Sequence, residues 1–144
     1  MNKITLKDVI IVSISLFFSF VLYYQKIIIS SDLASQIFVA LFTLVAFFLS
    51  IASLSVNSWE SNVILRLREG GHYMELISTL KKTSYLFVLT GLYAVLYSVF
   101  CKEIPLISLY YLSAILLFLV VCSTGYFILN IRRIFMILEY MEKG

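Results

Sequence analysis

Four continuous apolar stretches, 9–29, 33–56, 84–100 and 104–129, take up most of this chain, and almost every charge lies outside them. A hydrocarbon core is crossed by about 20 apolar residues in a helix. Because the runs are unbroken rather than alternating, they read as helices and not as strands of a membrane barrel. Composition agrees: 62% of residues are apolar, 13% are charged, and the mean hydropathy is +1.02, well outside soluble-domain usage. The expected fold class is therefore all-α, a polytopic membrane protein with four transmembrane helices forming a single membrane domain. The third stretch is the shortest and is expected to borrow Thr83 or part of the 101–103 turn. Lys3 and Lys7 ahead of an apolar run resemble a signal peptide, but no small-x-small cleavage site follows, so the first span reads as retained.

Basic residues set the expected orientation. Of the eleven, nine fall on one side: Lys3, Lys7, Arg66, Arg68, Lys81, Lys82, Arg132, Arg133 and Lys143. Only Lys26 and Lys102 fall on the other. Both termini and the loop between spans two and three are then cytoplasmic, and the connections near 30–32 and 101–103 face outward. Net charge +3 is accounted for by this topology, and nucleic acid is not an expected partner.

Local signals mark the helix ends. Thr5-x-x-Asp8 resembles a helix start, and Ser30-Ser31-Asp32 can cap the second helix. Pro105 suits the first turn of the fourth, where a missing N–H costs nothing. Tyr23, Tyr24, Tyr97, Tyr110 and Tyr111 gather near the outer interface, with Trp59 and Tyr85 near the inner one. Asn130 is expected at the headgroups beside Arg132 and Arg133. The tail 130–144 either extends the fourth helix or lies on the inner surface.

Segment 57–82 is expected to form a cytoplasmic helical hairpin. Trp59, Val63, Ile64 and Leu67 recur at helical spacing, as do Tyr73, Leu76, Ile77 and Leu80. Gly70-Gly71 between them supplies the left-handed residue on which helices often end, and His72 adjoins that turn. Helices two and three would thus extend past the membrane, with Leu33 to Glu69 roughly 55 Å long. The amphipathic stubs either pair with each other or receive a partner, which could be another subunit, a cytosolic protein or a small-molecule trigger.

Down helix two, steps of three and four connect Gln36, Val39, Thr43, Ala46, Ser50, Ser53, Asn57 and Glu60. All but Val39 are small or polar. One reading is a packing seam, where small residues admit close backbones and hydroxyls bond across. The other is that copies of this face line a homo-oligomeric pore, with Glu60 as an acidic ring favouring cations. Both make helix two central to assembly. Weaker small faces occur at Ser84, Gly91, Ala94 and Ser98, and at Ser123, Thr124 and Gly125.

Enzyme chemistry is not expected. No Ser-His-Asp set, carboxylate pair, phosphate-binding glycine loop or zinc signature is visible, and His72 is a lone imidazole. Neither a metal nor a cofactor is expected. Cys101 and Cys122 lie some 25 Å apart in depth, which rules out bridging them. A small multidrug transporter needs a membrane-embedded carboxylate, and the spans contain none beyond Asp8 at an edge.

Arg68-Glu69 and Gly71, followed by Tyr73-Met74, carry a resemblance within the loop Leu67-Arg68-Glu69-Gly70-Gly71-His72-Tyr73. Together with the length, four spans and cytoplasmic termini, the chain resembles RexB-like phage-exclusion proteins and small four-helix bacterial defence membrane proteins. That resemblance implies an ion-permeable effector that depolarises the membrane when triggered from the cytoplasm. Trp59, Arg66, Arg68, Glu69, Gly70, Gly71, His72 and Tyr73 would then receive the trigger. A non-conducting membrane anchor that docks a soluble partner through 57–82 is the alternative.

Overall fold

The computed structural model describes residues 6–57 and 72–142, with side-chain surroundings for 6–50 and 77–133. The described residues form four α-helices and no strand: α1 (Leu6–Tyr24), α2 (Ser31–Asn57), α3 (His72–Phe100) and α4 (Leu106–Glu142). Each contains a segment long and apolar enough to cross a membrane: Leu6–Tyr24, Ser31–Ser50, Ile77–Phe100 and Leu106–Arg133. The protein is a multi-pass membrane protein.

The helix that carries the third span begins well before Ser84, at His72. Thr83 returns its hydroxyl to the Thr79 carbonyl at 3.0 Å, so it carries no unmet donor into the bilayer. Lys81 and Lys82 point outward, where long stems let the ammonium groups reach water. At the other end of the chain, α4 continues unbroken through the segment 130–142, which settles the tail as helix. Of the expected hairpin 57–82, residues 58–71 with the Gly70-Gly71 turn lie outside the described residues.

Capping chemistry fixes the short connections. Ser30 Oγ accepts the Leu33 amide at 3.2 Å and the Ala34 amide bonds the Ser30 carbonyl, a serine N-cap for α2. The Leu109 amide reaches the Pro105 carbonyl, so proline opens α4. After α1 the Lys26 amide bonds Tyr23 O and the Ile27 amide bonds Leu22 O. Those paired bonds form a Schellman motif, with Lys26 in the left-handed position usually held by glycine (φ 54°).

Broad interfaces join α2 to α3, α3 to α4 and α4 to α1. Consecutive in sequence, α1 and α2 scarcely touch, so α3 and α4 form the middle of a row and α1 and α2 its two ends. Buried positions recur every seven residues along the α2–α3 seam: Ala34, Leu41 and Phe48 on α2, Leu80, Phe87 and Ala94 on α3. A repeat of seven is the pattern of left-handed helix packing. Gly91 admits the Phe42 ring, which lies 3.1 Å from where a Cβ would stand.

Beside that apolar seam, burial departs from the pattern of a protein in water. Ser15, Ser19, Thr83, Thr90, Ser113, Ser123 and Asn130 are buried, while Leu6, Phe17, Phe20 and Tyr24 are each more than 60% exposed. Lipid makes sense of this, since acyl chains solvate large apolar side chains and small or hydroxyl residues let helices approach.

Candidate functional site

Two polar features run the length of the bundle, one inside it and one on its surface. The inner one follows the α3–α4 seam, with Thr83, Thr90 and Tyr97 seven residues apart on α3. Nearest the short connections, Tyr97 Oη donates to the Ile29 carbonyl at 2.7 Å and meets Ser113 Oγ at 2.7 Å, while Ser113 Oγ accepts the Ile29 amide at 3.3 Å. This ring ties the α1–α2 connection to both central helices. Halfway along, Thr90 Oγ1 and Ser123 Oγ lie 2.8 Å apart. One more step brings Asn130 Nδ2 to Thr83 Oγ1, and beyond it Arg133 Nη1 donates to Thr79 Oγ1. Asn130 is fully buried and its Oδ1 finds no partner.

That file of polar groups does not form a passage. Phe87 occupies the step between Thr83 and Thr90, and Phe127 the step between Ser123 and Asn130. The Phe87 and Phe48 rings stack at 5.8 Å with 9° between planes, and Phe127 lies 5.6 Å from Phe48 and 6.0 Å from Phe87. Phe48 and Phe87 are at most 1% exposed. This aromatic plug, contributed by α2, α3 and α4, separates the Thr90–Ser123 layer from the Thr83–Asn130 layer.

The surface feature is the stripe on α2. Gln36, Thr43, Ala46 and Ser50 are all exposed, as is Val39 between them. The α2 face opposite them makes the heptad seam, so one helix carries an apolar inner edge and a small, polar outer one. Thr43 Oγ1 donates to Val39 O at 2.9 Å and Ser50 Oγ to Ala46 O at 2.9 Å. Both hydroxyl protons are therefore satisfied within the helix. Ser53 and Asn57 belong to α2 by backbone, but their side chains lie outside the described residues, as does all of Glu60.

No family model, curated protein or solved structure matches this chain. The site has to be read from its own residues.

Of the expected trigger residues, Trp59, Arg66, Arg68, Glu69, Gly70 and Gly71 lie outside the described residues. His72 and Tyr73 form the first turn of α3. Among the described residues no group of His, Cys, Asp and Glu could hold a metal ion. Cys101 and Cys122 are both free thiols.

Asn130 sits inside the α3–α4 seam, where Thr83 supplies an acceptor one helix away. Tyr97 is likewise buried, with its hydroxyl on the Ile29 carbonyl. Gly91 and Ala94 do pack against α2, as their size suggests. The signal for the inner seam was present as the spacing Thr83, Thr90, Tyr97 against Ser123, Asn130, each step seven residues. Neighbouring large residues mask it in a hydropathy reading.

Proposed function

We propose that this protein is a homo-oligomeric membrane effector whose α2 faces meet between subunits and border an ion-permeable passage opened from the cytoplasm. One observation carries the reading: Gln36, Thr43, Ala46 and Ser50 lie together on the outer surface of a single subunit, while the subunit interior is closed by Phe48, Phe87 and Phe127. Conduction in this reading runs between copies and not through one. Gln36 strengthens the case for self-association, since its amide has donors that acyl chains cannot satisfy. In this reading the basic end of the bundle, with Lys7, Lys81, Lys82, Arg132 and Arg133, faces the cytoplasm of a bacterial cell. Membrane depolarisation in phage defence is the role that the RexB-like loop Arg68–Tyr73 suggests.

A non-conducting anchor is the second reading, favoured by the internal bonds of Thr43 and Ser50. Hydroxyls already satisfied by their own helix need no water and suit a dry seam.

The experiment uses one cysteine at a time in a chain lacking Cys101 and Cys122. Cysteine at Thr43 or Ser50 is expected to cross-link copies in native membranes, and cysteine at buried Leu41 is not. Charged residues at Ser50 then separate the readings: altered ion selectivity in proteoliposomes with assembly intact supports a passage. Absence of cross-links through both outer positions refutes the assembly itself.

A further inference from the structure

The outlying position of α1 leaves a groove between it and α4. Its volume is about 310 Å³, and Ile11, Ile14, Val120, Val121, Thr124, Gly125 and Ile128 line it. The walls are apolar apart from the Thr124 hydroxyl, which donates to its own helix at Val120 O, 2.8 Å away. Gly125 forms the floor, with Ile11 Cγ2 only 2.9 Å from where a Cβ would stand.

What distinguishes this groove from ordinary lipid-facing surface is the charge at one end. On α1, Lys7, Ile11 and Ile14 lie on one face, since they are spaced four and three residues apart. On α4, Val121, Gly125, Ile128 and Arg132 do the same. Both stripes that line the groove therefore end in a cation, and both Lys7 and Arg132 are exposed. Gly125 meets Ile11, so Lys7 lies about 6 Å from that contact along the bundle and Arg132 about 10 Å, in the same direction. Side chains lean toward the N-terminus of their helix. Lys7 consequently leans toward the basic end and Arg132 leans back along the groove, which closes most of that difference. Of the other charges here, Asp8 accepts from Tyr126 Oη across the α1–α4 contact at 2.9 Å, Arg133 donates to Thr79 on α3, and Lys81 and Lys82 belong to α3, which shares no broad interface with α1.

We propose that this groove is a binding site for an anionic phospholipid, with an acyl chain against Ile14, Val121 and Ile128 and the headgroup phosphate between Lys7 and Arg132. Two cations at the same end of an apolar channel match the two halves of such a lipid, and a zwitterionic headgroup brings its own competing cation. The site depends on the helices lying in a bilayer and is independent of whether the protein conducts.

The test is native mass spectrometry of the full chain, released from detergent with equal amounts of phosphatidylglycerol and phosphatidylcholine of identical acyl chains. Wild type is expected to retain phosphatidylglycerol preferentially. Each of Lys7→Gln and Arg132→Gln is expected to weaken that retention roughly fivefold, and the charge-conserving Lys7→Arg with Arg132→Lys to restore it. Thr124→Trp, which fills the groove from its exposed rim, is expected to reduce both lipids while helicity is unchanged. Equal retention of the two lipids by wild type overturns the proposal, as does a double glutamine variant that keeps the preference. So does an Ile128→Cys variant that cross-links between copies and carries no lipid, because a second subunit would then cover the groove.

Discussion

Gly125→Ala tests how α1 is held. A Cβ at position 125 would stand 2.9 Å from Ile11 Cγ2 and 3.2 Å from Ile11 Cγ1. Both atoms are attached directly to the Cβ of a branched, stiff side chain, so neither can swing clear without moving the backbone of α1. Gly91→Ala is the matched comparison. There the nearest atoms are Phe42 Cε2 at 3.1 Å and Phe42 Cδ2 at 3.3 Å, on a ring that is 41% exposed and free to tilt outward. Helices separated in detergent remain helical, so alanine's propensity advantage largely cancels between the two states. Overpacking costs about 1–3 kcal/mol where the neighbour cannot yield. Gly125→Ala is expected to cost within that range and Gly91→Ala to cost under about 0.5 kcal/mol. The measurement is reversible unfolding in mixed micelles, with the Ile11→Ala background as the second arm of a double-mutant cycle. Removing the isoleucine is expected to abolish most of the Gly125→Ala penalty. If Gly125→Ala costs no more than Gly91→Ala, or if Ile11→Ala leaves its penalty intact, the account of the α1–α4 contact is wrong.

Other substitutions probe single features in the same unfolding assay. Lys26→Gly is expected to stabilise by about 1 kcal/mol, because a left-handed backbone costs an L-residue roughly that much and glycine nothing. Thr90→Val is expected to cost only about 0.6 kcal/mol. Ser123 can still donate to Leu119 O at 2.7 Å, so no buried donor is stranded. Tyr97→Phe removes the bond to the Ile29 carbonyl and is expected to cost about 1 kcal/mol, with faster hydrogen exchange at 27–30 as its local signature.

How much of this was legible in the sequence depends on which force decides each position. Spans set by the hydrophobic effect were readable, because the bilayer imposes one length on all four. Ser30 and Pro105 were readable as helix openers, since capping is a short-range property of a few consecutive residues. Lys26 was not, as nothing marks a lysine as left-handed when a Schellman pair closes around it. Asn130 and Tyr97 depend on groups contributed by other elements, Thr83 and Ile29, and no local rule locates those. The α2 stripe shows the converse: its periodicity identified a distinct face, yet only packing shows that Gln36, Thr43, Ala46 and Ser50 turn away from α3.

The row of helices has a consequence for synthesis. α1 has its matching surface on α4, so Asp8 meets Tyr126, and Ile11 meets Gly125, only after more than a hundred further residues have been made. Until then α1 must wait in the bilayer alone while α2 and α3 join. A chain halted before residue 106 would hold a paired α2 and α3 beside an orphaned first helix, with hydroxyls at Ser15 and Ser19 bare to lipid.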